Sequence, residues 1–209
     1  MKSIFRPDSP LMKFMMLITN LLCLNVLWIL CCIPVITAGA ATTAMYSVLF
    51  RYINKQDDAV LKPFFLAFRD NFKTATLAWI PNLLIGAVLA AEVLYLSAGA
   101  QMWLKIIFGI LLFIYSAASS YLYPLIARYD APLKTSLFNS FALSFRHLLN
   151  SVCVVTLNAA PLLLLLLAPD IFWKTILLWT LGGFSVIAWL NGMMLMRIFR
   201  MYDLPAQTQ

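Results

Sequence analysis

The sequence predicts an all-α protein: a polytopic membrane helical bundle of about six transmembrane helices, arranged as three hairpins, with two amphipathic cytoplasmic interfacial helices. Three observations support this fold class. Of the 209 residues, 63% are apolar and only 11% are charged, whereas about a quarter of the residues in a soluble domain are charged. The apolar residues form runs long enough to cross a bilayer. The basic residues cluster between alternate runs.

The uncharged runs supply the candidate membrane helices. The first run, 14–33, has 20 residues, and a helix of that length, rising about 1.5 Å per residue, spans the ~30 Å hydrocarbon core. Pro34 ends this run. The next, 35–50, has only 16 residues, so it is either a short crossing or a re-entrant segment. After this hairpin (11–50) come four further runs: 74–91 extending to about 97, 106–127, 148–169 and 175–196.

The distribution of the 15 lysines and arginines decides how often the chain crosses. If 35–50 crosses, 13 of them share the side that holds both termini, and only Lys105 and Lys174 lie on the other side. If it does not cross, the split falls to 10 against 5. Because basic residues concentrate in the cytoplasm, we expect six crossings with both termini cytoplasmic. The 13 residues are Lys2, Arg6, Lys13, Arg51, Lys55, Lys62, Arg69, Lys73, Arg128, Lys134, Arg146, Arg197 and Arg200.

Both long cytoplasmic segments are predicted to form amphipathic helices. In a helix over 59–73, the large apolar side chains fall within about 100° of arc, opposite Lys62 and Arg69. Such a helix lies at the membrane interface or packs its apolar face on the bundle, and the sequence leaves both readings open. The candidate cytoplasmic interaction face comprises Phe64, Phe65, Phe68, Phe72, Lys73, Phe138, Phe141, Phe145 and Arg146.

An internal repeat relates these two segments. The stretch 64–130 aligns with 137–203 at a constant offset of 73 residues, which pairs Phe65 with Phe138. The single membrane domain, 1–209, would then contain the first hairpin and two units at about 59–130 and 132–203. Each unit would hold one amphipathic helix and two crossings, so we expect parallel repeats related by an axis along the membrane normal.

Polar residues inside the runs mark candidate intramembrane positions. An unpaired amide is costly in hydrocarbon, so the asparagines should face the bundle interior. There they serve either as contacts between helices or as a polar track along a central pocket. The sole glutamate, Glu92, lies near the outer end of its helix, and we expect it to pair with Lys105. These candidates are Asn20, Asn25, Asn82, Glu92, Asn158 and Asn191.

No motif in the sequence points to catalysis or to a cofactor. The P-loop, H-E-x-x-H, G-x-S-x-G and C-x-x-C patterns are all missing from it. The four cysteines lie in uncharged runs, where a thiol behaves as a small apolar residue. The only histidine, His147, fits an interfacial polar position. We therefore expect a protein that is not an enzyme and has no cofactor or metal. We also expect no nucleic-acid partner, because the basic residues set the orientation of the protein in the membrane.

Three segments carry a resemblance to a known family. NVLWILCCIPVITAGAATTAMYSV at 25–48, FFLAFRDNFK at 64–73 and YLYPLIARYD at 121–130 resemble the YesL family of bacterial membrane proteins, a domain of unknown function. The resemblance implies an accessory role in carbohydrate uptake or utilisation in a bacterial plasma membrane, with a sugar ABC transporter or another membrane protein as a possible partner. It implies no catalytic or ligand-binding residues.

Two functions follow as hypotheses. The first is a non-enzymatic accessory or regulatory protein that acts on a membrane partner through its cytoplasmic faces. The second is a small transporter or channel with a polar track through the bundle. A wide central cavity lined by Asn25, Asn82 and Asn158 would favour the second hypothesis. A dry core with an apolar cytoplasmic groove would favour the first.

Overall fold

A computed structural model of the chain describes residues 10–56, 59–96, 102–129 and 131–203. Residues outside these ranges include Lys2, Arg6, Asp130 and the first half of the predicted outer link at 98–105. The α-helices are α1 (Pro10–Cys32), α2 (Ala38–Ile53), α3 (Leu61–Leu96), α4 (Met102–Arg128), α5 (Leu133–Arg146), α6 (Leu148–Leu167), α7 (Pro169–Lys174), α8 (Ile176–Leu178) and α9 (Phe184–Asp203). A 3₁₀ turn, Val35–Thr37, precedes α2, and a π-helical turn, Trp179–Gly183, joins α8 to α9.

The described chain confirms an all-α protein with several candidate membrane helices. Helix α2 has 16 residues and is about 24 Å long, which is short for a crossing, so its path through the bilayer stays a prediction. Within the described ranges, five helices are long and apolar enough to cross a membrane: Leu11–Cys32, Leu61–Glu92, Met102–Arg128, Leu148–Leu167 and Ile176–Asp203.

Helix α2 forms the centre of the bundle. Ten of its 16 residues are buried, and the five of them nearest its N-terminus are small: Gly39, Ala40, Ala41, Thr43 and Ala44. A Cβ added to Gly39 would lie 2.6 Å from the Cβ of Trp79 and 2.7 Å from the carbonyl oxygen of Ala75, so α2 and α3 touch along their backbones. Small residues permit this approach in membrane bundles, where van der Waals packing holds helices together.

The first amphipathic segment differs from its prediction. It is helical, but it continues without a break into the apolar run, so α3 is one helix of 36 residues. At about 1.5 Å per residue that is ~54 Å, well beyond a ~30 Å hydrocarbon core. The segment is not a separate interfacial helix, because nothing between Lys73 and Ala78 interrupts the hydrogen-bond ladder. The next residue without an N–H after this stretch is Pro81, which is accommodated within α3.

The second amphipathic segment is a separate helix, α5. It ends at His147, whose backbone (φ −121°, ψ 54°) leaves the helical region before α6 begins. The residues of α5 that are buried against α4 are Ser136, Ser140 and Ser144. Its aromatic face therefore points away from the bundle.

The ends of α2, α4 and α9 meet at one end of the molecule, which we call the basic end. The guanidinium of Arg200 donates to Asn54 Oδ1 at 2.8 Å, and Arg128 forms an ion pair with Asp203. The Tyr129 hydroxyl donates to the other Asp203 carboxylate oxygen at 2.8 Å. Burial raises the pKa of the Tyr129 phenol, and this hydrogen bond raises it further.

Candidate functional site

A cavity of about 450 Å³ lies between six helices. Every one of the 16 described residues that line it is uncharged. Helix α4 contributes the largest share, through a run of hydroxyl side chains. The lining residues are Trp28, Thr42, Met45, Tyr46, Trp79, Asn82, Tyr115, Ser116, Ser119, Ser120, Tyr123, Asn158, Pro161, Phe184, Ile187 and Ala188.

Asn82 joins α3 to the hydroxyl groups of α4. Its side-chain N–H donates to the Tyr123 hydroxyl at 3.0 Å, and its side-chain oxygen accepts from Ser119 at 2.8 Å. The Tyr115 hydroxyl donates to the Asn82 backbone carbonyl. Because an amide has two N–H donors and two acceptor lone pairs, Asn82 keeps one of each for a further partner, whichever way its amide is oriented.

Asn158 lies at the exposed mouth of the cavity and joins three helices. Its N–H donates to Ser120 on α4 at 3.0 Å, and its oxygen accepts from the fully buried Asn191 on α9 at 2.8 Å. Asn82, Asn158 and Asn191 thus each form a hydrogen bond to another helix.

Asn25 does not line the cavity, contrary to the expected polar track. It is fully buried and bridges the π-helical turn. Its N–H groups donate to the carbonyls of Trp179 (3.2 Å) and Thr180 (2.8 Å), and its oxygen accepts from the Ser185 N–H at 2.9 Å. Thr180 and Ser185 are five residues apart, the spacing of a π-helical hydrogen bond. The side chain is inserted between these two backbone groups.

Aromatic rings form much of the remaining wall. The indole N–H of Trp28 donates to Thr42 at 3.1 Å, and that of Trp79 donates to the Val35 carbonyl at 2.7 Å. Both indole donors therefore have partners within the protein, and the rings themselves are what line the cavity. Phe184 packs against Trp28 with ring centroids 5.1 Å apart.

The cavity is closed towards the basic end by a packed layer. On α2, α4 and α9 the residues beyond the cavity in that direction are almost fully buried, among them Phe50, Leu125, Leu195 and Phe199. On α6 the corresponding residue is the fully buried Val154. Buried side chains of these four helices thus lie between the cavity and the basic end.

The other predicted polar residues lie apart from the cavity. Asn20 is partly buried on α1, in a small depression next to Val48 and Leu49. Glu92 is partly exposed on α3. The expected ion pair between Glu92 and Lys105 is not formed. Among the residues that the structure describes, the ion pair that does form joins Arg128 to Asp203. Lys105 is exposed on α4.

The proposed cytoplasmic interaction face divides into two different environments. On α3, Phe64 is fully buried and Phe68 packs on the core, whereas Phe65, Phe72 and Lys73 are exposed. On α5 the four candidate residues are all exposed: Phe138, Phe141, Phe145 and Arg146. Of the positions related by the 73-residue offset, Phe64 and Phe68 are more buried than Leu137 and Phe141, whereas the other three pairs are exposed in both units. The superposition of the two units stays a prediction.

A second cavity lies between α4, α5 and α9 at the basic end. It has a volume of about 430 Å³ and is walled by Leu143, Phe199 and the Tyr202 ring, with Arg146 at its edge. The Arg146 guanidinium lies 5.4 Å from the centre of the Tyr202 ring, and the Tyr202 hydroxyl is hydrogen-bonded to His147 at 3.0 Å. The structure therefore has a central cavity that is lined by Asn82 and Asn158 but not by Asn25, and a groove at the basic end whose wall is partly apolar.

Sequence reasoning missed the hydroxyl side chains of the central cavity. The signal was Ser116-Ala-Ala-Ser-Ser120 inside the apolar run 106–127. Three hydroxyl groups within five residues of a membrane run mark a helix face that packs on protein, because lipid offers them no partner.

Comparison with known proteins gives a match to a protein family. No curated protein and no solved structure matches the chain. The match to a family covers about a third of the chain and includes the second half of α1, all of α2, and α3 up to the neighbourhood of Glu92. Within it lie the cavity residues of these three helices, whereas those of α4, α6 and α9 lie beyond it. The matching family, over residues 21–93, is described as a protein of unknown function, DUF624.

Proposed function

We propose that this multi-pass membrane protein binds a small, uncharged, polyhydroxylated solute in the central cavity and takes part in its uptake. The observation that carries the proposal is the cavity itself, whose lining combines amide and hydroxyl groups with aromatic rings and no charged side chain. Its volume of about 450 Å³ falls within the ~300–1,000 Å³ range of small-molecule sites.

The chemistry of the wall selects against ions. A charge moved from water into an uncharged site loses its hydration without gaining a counter-charge. A solute with several hydroxyl groups can use the spare N–H and lone pair of Asn82, while the faces of Trp28 and Trp79 cover its apolar surface. Sugars have these features, which agrees with the carbohydrate utilisation that the YesL-like segments imply.

The proposal includes a topology. With six crossings, the basic end lies in the cytoplasm of a bacterial cell together with both termini, as the positive-inside rule requires. The packed layer then separates the cavity from the cytoplasm, so a solute would enter the cavity from the outer side of the membrane or from the outer leaflet. We propose no enzymatic step, because the lining offers no carboxylate, imidazole or amine as a general acid or base.

Thermal unfolding of the purified protein in nanodiscs tests the binding proposal. The probes are neutral glucose, maltose and glycerol, each beside a charged analogue of similar size: glucose 6-phosphate, maltobionate and glycerol 3-phosphate. A ligand at 100 times its Kd stabilises the folded state by about 2.7 kcal/mol, which is a measurable rise in Tm. We expect this rise with a neutral probe, a smaller one with its charged analogue, and none with the cavity-filling variant Ser120→Leu.

The control variant is Thr19→Val, which removes an exposed hydroxyl from α1, nine residues before the cavity residue Trp28. It should keep the full ligand-induced rise in Tm. Equal shifts with neutral and charged probes, or an undiminished shift in Ser120→Leu, would contradict the proposal. No shift with any of the three neutral probes would also count against this solute class.

The accessory hypothesis remains a second candidate, because a specific observation favours it. The groove beside Arg146 and the exposed aromatic side chains of α5 could receive a membrane partner such as a sugar ABC transporter. Co-purification from native bacterial membranes tests this: a stoichiometric transporter subunit that is lost in a Phe138→Ser, Phe141→Ser variant would support it. Recovery of the same subunit with that variant would contradict it.

A further inference from the structure

Helix α5 has three distinct faces. Ser136, Ser140 and Ser144 recur every fourth residue and are at most 2% exposed. At about 100° per residue, Phe138, Phe141 and Phe145 fall roughly 110° to one side of this serine face. Thr135, Asn139 and Arg146 fall roughly 120° to its other side. A helix in contact with only water and protein needs one polar face and one packed face. The exposed aromatic face of α5 therefore requires a third environment.

The exposed aromatic side chains of α5 precede an exposed apolar surface on α6. Phe138 is 74% exposed, and Leu149, in the first turn of α6, is 86% exposed. Helix α6 is long and apolar enough to cross a membrane, so its outward side chains face lipid. Phe145, the last aromatic residue of α5, comes four residues before Leu149 in the chain, which places it close to the level at which α6 begins.

The charge of α5 fits an anionic surface. Between Leu133 and Arg146 the helix contains Lys134 and Arg146 and no acidic residue. Both basic side chains are exposed, one at each end of the helix. Basic side chains that border an apolar helix face place their charges at the level of lipid headgroups, and anionic lipids attract them.

We propose that α5 is seated in the leaflet at the basic end and binds anionic phospholipid there. Its aromatic face contacts the acyl chains, its serine face packs on α4, and Thr135 and Asn139 on its remaining face meet water. Lys134 and Arg146 contact the lipid phosphates. This inference does not depend on the proposed solute or on which side of the membrane is cytoplasmic.

Nitroxide accessibility in nanodiscs tests the position of the helix. Single cysteines replace Phe138 or the matched neighbour Asn139, in a protein whose native Cys23, Cys31, Cys32 and Cys153 are replaced by alanine. In discs of phosphatidylcholine with one quarter phosphatidylglycerol, the label at 138 should collide with oxygen and not with a water-soluble nickel chelate. The label at 139 should show the opposite preference, although it lies one residue away.

Each other outcome overturns the position. Free access of the nickel chelate at both sites would place the aromatic face in water. Low access of both reagents at 138 would indicate a protein surface, either a second copy of the chain or a different partner. Spin–spin broadening at 138 would identify the second copy.

Lipid selectivity tests the charge argument separately. Spin-labelled phosphatidylglycerol should associate with the protein more strongly than spin-labelled phosphatidylcholine. The double variant Lys134→Gln, Arg146→Gln should reduce that preference, and 1 M salt should reduce it in the unsubstituted protein. An unchanged preference in the double variant would overturn the assignment of these two residues to lipid phosphates.

Discussion

Replacing Asn25 by leucine tests how the π-helical turn is held. The Asn25 amide is fully buried and makes three hydrogen bonds, to the carbonyls of Trp179 and Thr180 and from the Ser185 N–H. Leucine has a similar volume and no polar atom. The substitution therefore removes the hydrogen bonds with little change in packing, and it leaves three backbone groups to find other partners.

The expected loss follows from these three bonds. Hydrogen bonds between membrane helices contribute about 0.6 kcal/mol each on average, which sets a lower bound near 2 kcal/mol for three. A buried backbone group left unpaired costs about 1–3 kcal/mol, so incomplete re-pairing raises the loss. We expect Asn25→Leu to lower the free energy of unfolding by about 2–5 kcal/mol.

Reversible unfolding in mixed micelles, by titration with sodium dodecyl sulfate and detection by circular dichroism, measures this loss. Thr19→Val on the same helix is the control, since its hydroxyl bonds only to the Met15 carbonyl one turn away. It should change stability by less than about 0.5 kcal/mol. A loss in Asn25→Leu no larger than in the control would mean that the π turn re-pairs without the side chain, and would refute the reasoning.

Three further predictions concern topology, packing and charge. In a protein without native cysteines, Asn54→Cys should be labelled only from the cytoplasm and Ala100→Cys only from outside; labelling of both from one side contradicts six crossings. Gly39→Val should lower stability by at least about 1–3 kcal/mol, whereas Gly109→Ala, with no atom within 4 Å of the added Cβ, should not. Glu92→Gln should change stability by less than about 0.5 kcal/mol, and a lost cellular function with intact folding would favour transport.

The positions of the helices could be predicted closely from the sequence. The uncharged runs at 106–127 and 148–169 correspond to α4, Met102–Arg128, and α6, Leu148–Leu167. The reason is physical: a helix is the only single segment that satisfies its own backbone in lipid, so its length follows from the apolar run. The boundary between an interfacial helix and a crossing could not be predicted in this way. An interfacial helix can continue into a crossing without a free-energy cost, and α3 is such a continuous helix.

The orientation of helix faces could not be predicted from hydropathy alone. In a water-soluble protein the apolar stripe of a helix points inward. The same assumption assigned Phe138 and Phe141 to one interaction face together with Phe64. The structure buries Phe64 in the core and leaves the other two exposed. Lipid is as apolar as a phenylalanine side chain, so small and hydroxyl residues mark the packed face instead, as Ser140 does in α5.

The same principle explains why a cavity forms where it does. Close packing of these helices depends on small side chains, such as Gly39 against α3. At Ser116, Ser119 and Ser120 small side chains again turn inward, but the facing helices contain Pro81 and Pro161, and a proline inside a helix bends it away from straight packing. Small residues opposite bent helices leave space that the backbones cannot close. The polar groups that the serines, Asn82 and Asn158 bring to this space are what make it a candidate site rather than a packing defect.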